Sequence, residues 1–136
     1  MKVLIVDDSK IVCEGLQQIL AASDVEVANP VHNVHEAIRA ISKYKPDVVI
    51  LDIRMPGPSG MGVLKDIKDK MLPIVVIMLT NYPYPQYRKK CEELGAEYFI
   101  DKVTEIEKIP GIIEELKEKM SVNNRGAANP DADVHD

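Results

Sequence analysis

Short apolar runs alternate along this chain with segments whose apolar residues repeat at helical spacing. The runs predict five strands, at residues 3–6, 25–31, 47–52, 74–79 and 97–100. The run at 47–52 is the clearest, because four consecutive Val, Ile and Leu residues lie between a Pro and a Pro/Gly-rich segment. Such continuous apolar runs are typical of strands buried on both faces, which favours a parallel sheet.

The segments between the strands predict amphipathic helices. In the first, Ser9 is a suitable N-cap, and the apolar face includes Ile11, Leu16 and Leu20. The third predicted helix begins at about residue 60 and continues its apolar face to Met71. Both patterns predict helices that bury one side against the sheet.

Several residues mark where other helices begin and end. Asn33 with Glu36 three positions later predicts a capping box at the second helix. Pro85 suits the first turn of the fourth helix, and Gly95 should end it. The last helix is expected to begin at about Lys108, after a short turn.

The alternation of five strands with five helices predicts an α/β fold, a doubly wound five-stranded parallel sheet. A length of 136 residues allows one domain with a substantial core. We expect that domain to cover residues 1–120. Residues 121–136 contain few large apolar side chains, which predicts a flexible tail or a truncated linker.

Composition narrows the partners that the chain could have. A net charge of −5 disfavours direct binding to nucleic acid or to an anionic membrane. No apolar run approaches membrane-spanning length, and the first apolar run is too short and too soon followed by acidic residues for a signal peptide. Two isolated cysteines, Cys13 and Cys91, suit a reducing compartment. These features predict a cytoplasmic protein.

Polar residues stand where the predicted strands end. They are Asp7, Asp8, Asp52, Thr80 and Lys102. Because ligands of such sheets bind at the carboxyl ends of the strands, we expect these side chains to converge. Three neighbouring carboxylates repel one another unless a cation is present, and Mg²⁺ favours carboxylate and water oxygens.

The same residues predict phosphoryl chemistry. Mg²⁺ and a lysine ammonium can hold a phosphoryl group, a threonine hydroxyl can contact it, and the Asp52 carboxylate can accept it as nucleophile. A zinc site is not expected, since His32 and His35 lack a third ligand at suitable spacing. These two histidines are expected to be exposed.

Four motifs occur in a fixed order along residues 1–120. They are Val6-Asp7-Asp8-Ser9, Asp52-Ile53-Arg54-Met55-Pro56-Gly57, Leu79-Thr80, and Gly95-Ala96 with Asp101-Lys102. With this ordered set, the chain resembles the receiver domain of bacterial two-component response regulators, of the chemotaxis-regulator type, either stand-alone or truncated.

The resemblance implies a flavodoxin-like fold with strand order 2-1-3-4-5. It implies that Asp52 is the phosphoacceptor. Mg²⁺ would be bound directly by Asp8, by Asp52 and by the backbone carbonyl of Arg54, and Asp7 would act largely through water.

The resemblance also assigns roles to the last two strand ends. Thr80 and Lys102 would contact the phosphoryl group, and Phe99 would be the switch aromatic, where Tyr is common. Val103 stands where many relatives have Pro. The implied partners are a histidine kinase or phosphotransfer protein and an unidentified output protein, or a second copy in a homodimer. The output surface would lie around helix 4, strand 5 and helix 5, and the domain would catalyse only its own phosphorylation and dephosphorylation.

Three alternatives remain from the sequence. A phosphatase with an Asp nucleophile is disfavoured, because such enzymes resemble one another in placing the nucleophile after the first strand. A degenerate receiver that only binds a partner is disfavoured because every site residue is present. A fragment of a larger regulator, with a DNA-binding domain beyond Asp136, stays open.

Overall fold

The computed structural model describes residues 1–55 and 59–135, with the side chains of residues 1–55 and 59–122. One sheet contains the strands β1 (Lys2–Val6), β2 (Glu26–Val27), β3 (Val48–Asp52), β4 (Val75–Thr80) and β5 (Tyr98–Asp101). Neighbouring strands pair in parallel in the order β2-β1-β3-β4-β5. The fold class and the strand order are therefore both confirmed.

Helices follow the strands in alternation. They are α1 (Lys10–Ala21), α2 (Val34–Tyr44), α3 (Gly60–Asp69), α4 (Pro85–Glu93) and α5 (Ile109–His135), the last preceded by a 3₁₀ turn at Ile106–Lys108. The chain divides into two compact units, residues 1–106 and 107–136. The sequence predicts a flexible tail from residue 121, whereas the backbone continues α5 to His135. The boundary of the domain at residue 120 stays a prediction.

Local capping explains where several elements begin and end. The Ser9 hydroxyl accepts a hydrogen bond from the Val12 amide, and the Asn33 side chain accepts one from the Glu36 amide. Pro85 occupies the first turn of α4, where its missing N–H removes no hydrogen bond. Gly95, just beyond the end of α4, has a φ of 99°, a conformation that favours glycine.

The core of the first unit lies on both faces of the sheet. On one face, Leu51 and Met78 are buried with apolar residues of α2 and α3, such as Ile41 and Leu64. The opposite face carries buried residues of the same strands, such as Ile50. This two-sided burial explains why the strands are continuous apolar runs and not alternating ones.

Two apolar residues predicted to be buried lie in solvent. Ile11 is 81% exposed, because α1 buries the series Cys13, Leu16 and Leu20, and Ile11 is out of step with that series. Met71 is 87% exposed, because α3 ends at Asp69 and the chain turns through a positive φ of 55° at Met71. Both predictions were wrong.

The second strand is shorter than the predicted residues 25–31. Only Glu26–Val27 forms a ladder, and Pro30 interrupts it because proline has no amide to donate. Val31 then forms an isolated parallel bridge with Val6. The segment after β2 is thereby held beside the end of β1.

Within the described residues, no helix is both long enough and apolar enough to cross a membrane. Cys13 and Cys91 are buried free thiols. Burial raises the pKa of each thiol to about 11, so neither is set up as a nucleophile.

Candidate functional site

Three carboxylates meet at the carboxyl edge of the sheet. Asp7 and Asp8 follow β1, and Asp52 is the last residue of β3, the neighbouring strand. One oxygen of each carboxylate lies within 4.8 Å of the others. Asp7 and Asp52 are buried, whereas Asp8 is exposed. The structure thus brings together three of the residues that the sequence places at strand ends.

The side chain of Lys102 reaches the same cluster. Its Nζ lies 2.6 Å from Asp7 Oδ2 and 3.5 Å from Asp52 Oδ1, and the side chain is only 7% exposed. The 2.6 Å contact is an ion pair, and among the described residues the buried Asp7 Oδ2 has no hydrogen-bond partner. The Lys102 amide donates to the Thr80 carbonyl at 2.8 Å, which ties the end of β5 to the end of β4.

One local device fixes the side chains at the strand ends. In each case a side-chain oxygen accepts a hydrogen bond from the amide two residues later, which is the geometry of an Asx or Ser/Thr turn. The amide of Ser9 donates to the side chain of Asp7 (2.8 Å) and that of Arg54 to Asp52 (3.3 Å). In the same way, the amide of Tyr82 donates to Thr80 (2.9 Å) and that of Val103 to Asp101 (2.8 Å). Each side chain is therefore held against its own loop.

The environment of Asp52 disfavours its ionised form. Burial raises the pKa of this carboxyl from 3.8 to about 7, and the nearby Asp7 charge acts in the same direction. The Lys102 ammonium and the Arg54 amide lower the pKa, and Asp8 raises it further. The carboxyl of Asp52 is thus poised near neutral pH when no cation is bound.

The cluster has the donor set of a hard divalent cation. Its three carboxylates face one ammonium, so negative charge is in excess. All three offer oxygen ligands, and Asp8 is open to water, which suits an ion that keeps part of its hydration shell. The residues present therefore fit Mg²⁺.

Two predicted site residues lie in aromatic contacts. The exposed Arg54 side chain packs over the Tyr82 ring, with Cζ 4.4 Å from the ring centroid. Phe99 is buried, and the guanidinium of Arg88 lies over its ring at 4.6 Å. The role of the Arg54 carbonyl as a ligand stays a prediction, and Pro56 and Gly57 of the motif lie outside the described residues.

Sequence reasoning missed His32, which it placed in an exposed loop. The residue is half-buried, and its Nδ1 lies 2.8 Å from the carbonyl oxygen of Asp7. The capping box at Asn33 and the strand-like Val31 fix the neighbours of His32, but neither shows which way the ring points. His35, by contrast, is exposed as expected.

Comparison with known proteins gives the family. The response regulator receiver domain family matches residues 3–114. The chain belongs to this family. Receiver domains are the phosphoacceptor domains of two-component systems, and their phosphorylation is typically on an aspartate.

Solved receiver domains share the fold. A LuxR-family DNA-binding response regulator from Staphylococcus aureus is 31% identical, with a TM-score of 0.78 over 84% of this chain and 96% of that one. The response regulator domain of Thermotoga maritima CheB is 30% identical. Its TM-score is 0.71, and the match covers 89% of this chain and 93% of that one.

Curated relatives are longer proteins. A protein-glutamate methylesterase/protein-glutamine glutaminase of Archaeoglobus fulgidus is 39% identical over 75% of this chain, but the match spans 30% of that protein. The DNA-binding transcriptional activator EvgA of Escherichia coli is 26% identical over 86% of this chain and 57% of its own length. This receiver domain therefore corresponds to only part of each relative.

Proposed function

We propose that this receiver domain takes a phosphoryl group onto Asp52 with Mg²⁺ bound at the acidic cluster. The observation that carries the proposal is the convergence of Asp7, Asp8 and Asp52 with Lys102 at the carboxyl edge of the sheet. Membership of the family supports a phosphoacceptor role, and the geometry supports this aspartate as the acceptor, because it is buried, central and held at a strand end.

The residues around the cation site have distinct roles in this proposal. Asp8, Asp52 and the Arg54 carbonyl would bind Mg²⁺ directly, and Asp7 would act largely through water. When bound, Mg²⁺ neutralises charge on the carboxylates and on the phosphoryl oxygens. Because a nearby cation favours the charged form of a carboxyl group, a bound Mg²⁺ would lower the pKa of Asp52 from about 7 and so would favour the ionised nucleophile.

The transfer step is a displacement at phosphorus. An oxygen of the Asp52 carboxylate forms the new P–O bond while the P–N bond of a phosphohistidine donor breaks. The histidine leaves with the electron pair of that bond and takes up a proton. Lys102 and Thr80 contact the phosphoryl oxygens, so the charge that develops there meets a fixed ammonium and a hydroxyl donor.

The donor is a histidine kinase or a phosphotransfer protein, and the chain catalyses only its own phosphorylation and dephosphorylation. We assign the output surface to α4, β5 and α5. Exposed charges of both signs on α4, such as Arg88, Lys89 and Glu92, can face complementary charges on a protein partner or on a second copy. An acidic receiver of this kind acts in the cytoplasm, without direct contact to nucleic acid or membrane.

Phosphotransfer tests the assignment of Asp52. The protein is incubated with Mg²⁺ and acetyl phosphate, and its intact mass is measured. We expect one added phosphoryl group in wild type and none in Asp52→Asn. Asp69→Asn, which removes an exposed carboxylate on α3, is the matched control and should be phosphorylated normally. A phosphorylated Asp52→Asn protein would show that another residue is the acceptor.

Thermal unfolding tests the cation site. A ligand that binds only the folded state stabilises it by about 2.7 kcal/mol at one hundred times its dissociation constant. We expect Mg²⁺ to raise the melting temperature of wild type and to leave that of Asp8→Ala/Asp52→Ala unchanged. An equal shift in both proteins would place Mg²⁺ elsewhere.

A further inference from the structure

We propose that His32 is a positioning residue for the acidic cluster, because its imidazole holds the peptide group that joins Asp7 to Asp8. This inference rests on the proposed cation site and adds a residue to it from the loop between β2 and α2. No ligand role for His32 is involved, since it acts only through the main chain of Asp7.

Consecutive residues of that loop hold the main chain of Asp7 at both of its polar atoms. The Asp7 amide donates to the Val31 carbonyl at 3.0 Å, and the Asp7 carbonyl oxygen lies 2.8 Å from His32 Nδ1. A weaker contact, from Cys13 Sγ at 3.5 Å, reaches the same carbonyl from α1. The hydrogen bond from His32 is the shorter of the two and comes from a stronger donor.

The chemistry of this contact fixes the proton on the imidazole. A carbonyl oxygen can only accept, so Nδ1 carries the hydrogen and His32 donates. The carbonyl belongs to the planar peptide group whose nitrogen is that of Asp8. Holding its oxygen therefore sets the orientation of the bond to the Asp8 Cα, from which the Asp8 carboxylate projects.

The direction of the Asp8 carboxylate depends on the backbone more than the directions of the other two carboxylates in the cluster do. The Asp7 carboxylate is fixed by the Ser9 amide and by Lys102, and the Asp52 carboxylate by the Arg54 amide. Within the part of the chain that the structure describes, the Asp8 carboxylate is exposed and forms no hydrogen bond or ion pair. Its direction before a cation binds is set by the peptide that His32 holds.

His32 is itself well anchored. Its amide donates to Glu36 Oε1 at 3.0 Å, and the Glu36 amide donates to Asn33 Oδ1 at 2.9 Å. These bonds join the loop to the first turn of α2. The imidazole is thus presented from a capped helix end, which makes it a rigid support and not a mobile surface ring.

Two substitutions separate this role from simple loop stability. His32→Leu keeps a side chain of moderate size but removes the hydrogen-bond donor. His32→Asn instead places an amide N–H near the position of Nδ1. The exposed His35→Leu is the matched control on the same segment. For each protein we would measure the dissociation constant of Mg²⁺ by calorimetry, the free energy of unfolding in chelator, and the amide chemical shift of Asp8 without Mg²⁺.

We expect His32→Leu to weaken Mg²⁺ binding about tenfold, the scale found for residues that orient metal ligands. His32→Asn should recover most of that loss, and His35→Leu should bind as wild type does. The Asp8 amide shift should move in His32→Leu and return toward its wild-type value in His32→Asn. If His32 only stabilised the loop, His32→Asn would not restore the Mg²⁺ affinity and the Asp8 amide shift together.

Other outcomes would overturn the inference. Wild-type Mg²⁺ affinity in His32→Leu, or an equal loss in His32→Leu and His32→Asn, would show that the donor does not position Asp8. If wild type binds no Mg²⁺ at all, the proposed cation site fails. The Asp8 amide shift then still decides whether His32 holds this peptide, and an unchanged shift in His32→Leu would show that it does not.

Discussion

The guanidinium of Arg54 lies over the ring of Tyr82, with Cζ 4.4 Å from the ring centroid. Arg54 comes two residues after Asp52 and Tyr82 two residues after Thr80, and the amide of each donates to the side chain of that earlier residue. Tyr82 is also in contact with Tyr84, with ring centroids 6.1 Å apart. The loops that follow β3 and β4 are therefore joined by a cation–π contact.

This pair leads to a prediction about the lifetime of the phosphorylated state. We expect bulky side chains on these loops to hinder the in-line attack of water on an acyl phosphate at Asp52, and Pro83 and Pro85 to stiffen the loop that carries Tyr82. We expect slow self-dephosphorylation, suited to gene regulation more than to rapid motility control. Arg54→Ala/Tyr82→Ala should accelerate it about tenfold, or about 1.4 kcal/mol of barrier.

The measurement is the release of phosphate after the phosphodonor is removed. Arg39→Ala, which removes an exposed arginine on α2, is the control and should leave the rate unchanged. If the double variant decays no faster than wild type, these side chains do not limit the access of water.

The raised pKa of Asp52 predicts how stability depends on pH. The folded-state pKa of about 7 lies above the ordinary value of 3.8, so the folded protein holds more protons between these values. The contribution of Asp52 to the free energy of unfolding is greatest below about pH 4. It falls as pH rises to about 7 and is then constant. The shift corresponds to a loss of at most about 4 kcal/mol.

Denaturant unfolding in chelator at several pH values measures this effect against Asp52→Asn, which cannot ionise. We expect the variant to gain stability relative to wild type as pH rises from 4 to 7. Asp69→Asn controls for a general change in charge. Parallel pH profiles for wild type and Asp52→Asn would mean that Asp52 titrates near its ordinary pKa.

Gly60 provides a test of how closely α3 approaches the site. A Cβ at this position would overlap the Asp52 carbonyl oxygen. Gly60→Ala must therefore displace the end of β3, and we expect a loss of about 2–3 kcal/mol in the free energy of unfolding. Gly62→Ala, where nothing lies within 4 Å, should instead stabilise α3 by about 0.5–1 kcal/mol. Equal effects of the two substitutions in denaturant titrations would contradict the close approach.

The contact between Arg88 and Phe99 predicts a signature of activation. The Arg88 guanidinium lies over the Phe99 ring, so a movement of either residue must break or reshape this contact. Addition of beryllofluoride with Mg²⁺ should shift the amide resonances of residues 80–102, including those of both residues. Arg88→Ala should lower stability by about 0.5–1 kcal/mol through loss of the cation–π contact.

Beryllofluoride added to Asp52→Asn is the control for that experiment, and it should leave the spectrum unchanged. Resonances of residues 80–102 that stay in place in wild type would argue against Phe99 as a switch.

The sequence by itself determined the elements and the residues at their ends. Ser9, Asn33 and Pro85 could be assigned to helix starts because capping depends on residues close in sequence. The carboxylates at the ends of β1 and β3 could be expected to meet, because parallel strands bring their carboxyl ends to one edge. The order of the strands came from the ordered motifs of the family and not from periodicity.

Only the tertiary structure decided contacts between side chains far apart in the sequence. Periodicity did not reveal that Ile11 faces solvent or that the His32 ring turns toward Asp7. The contacts of Arg54 with Tyr82 and of Arg88 with Phe99 likewise need the loops in place. Apolar spacing specifies which face of an element is buried, but the direction of a polar side chain depends on partners that only the assembled sheet supplies.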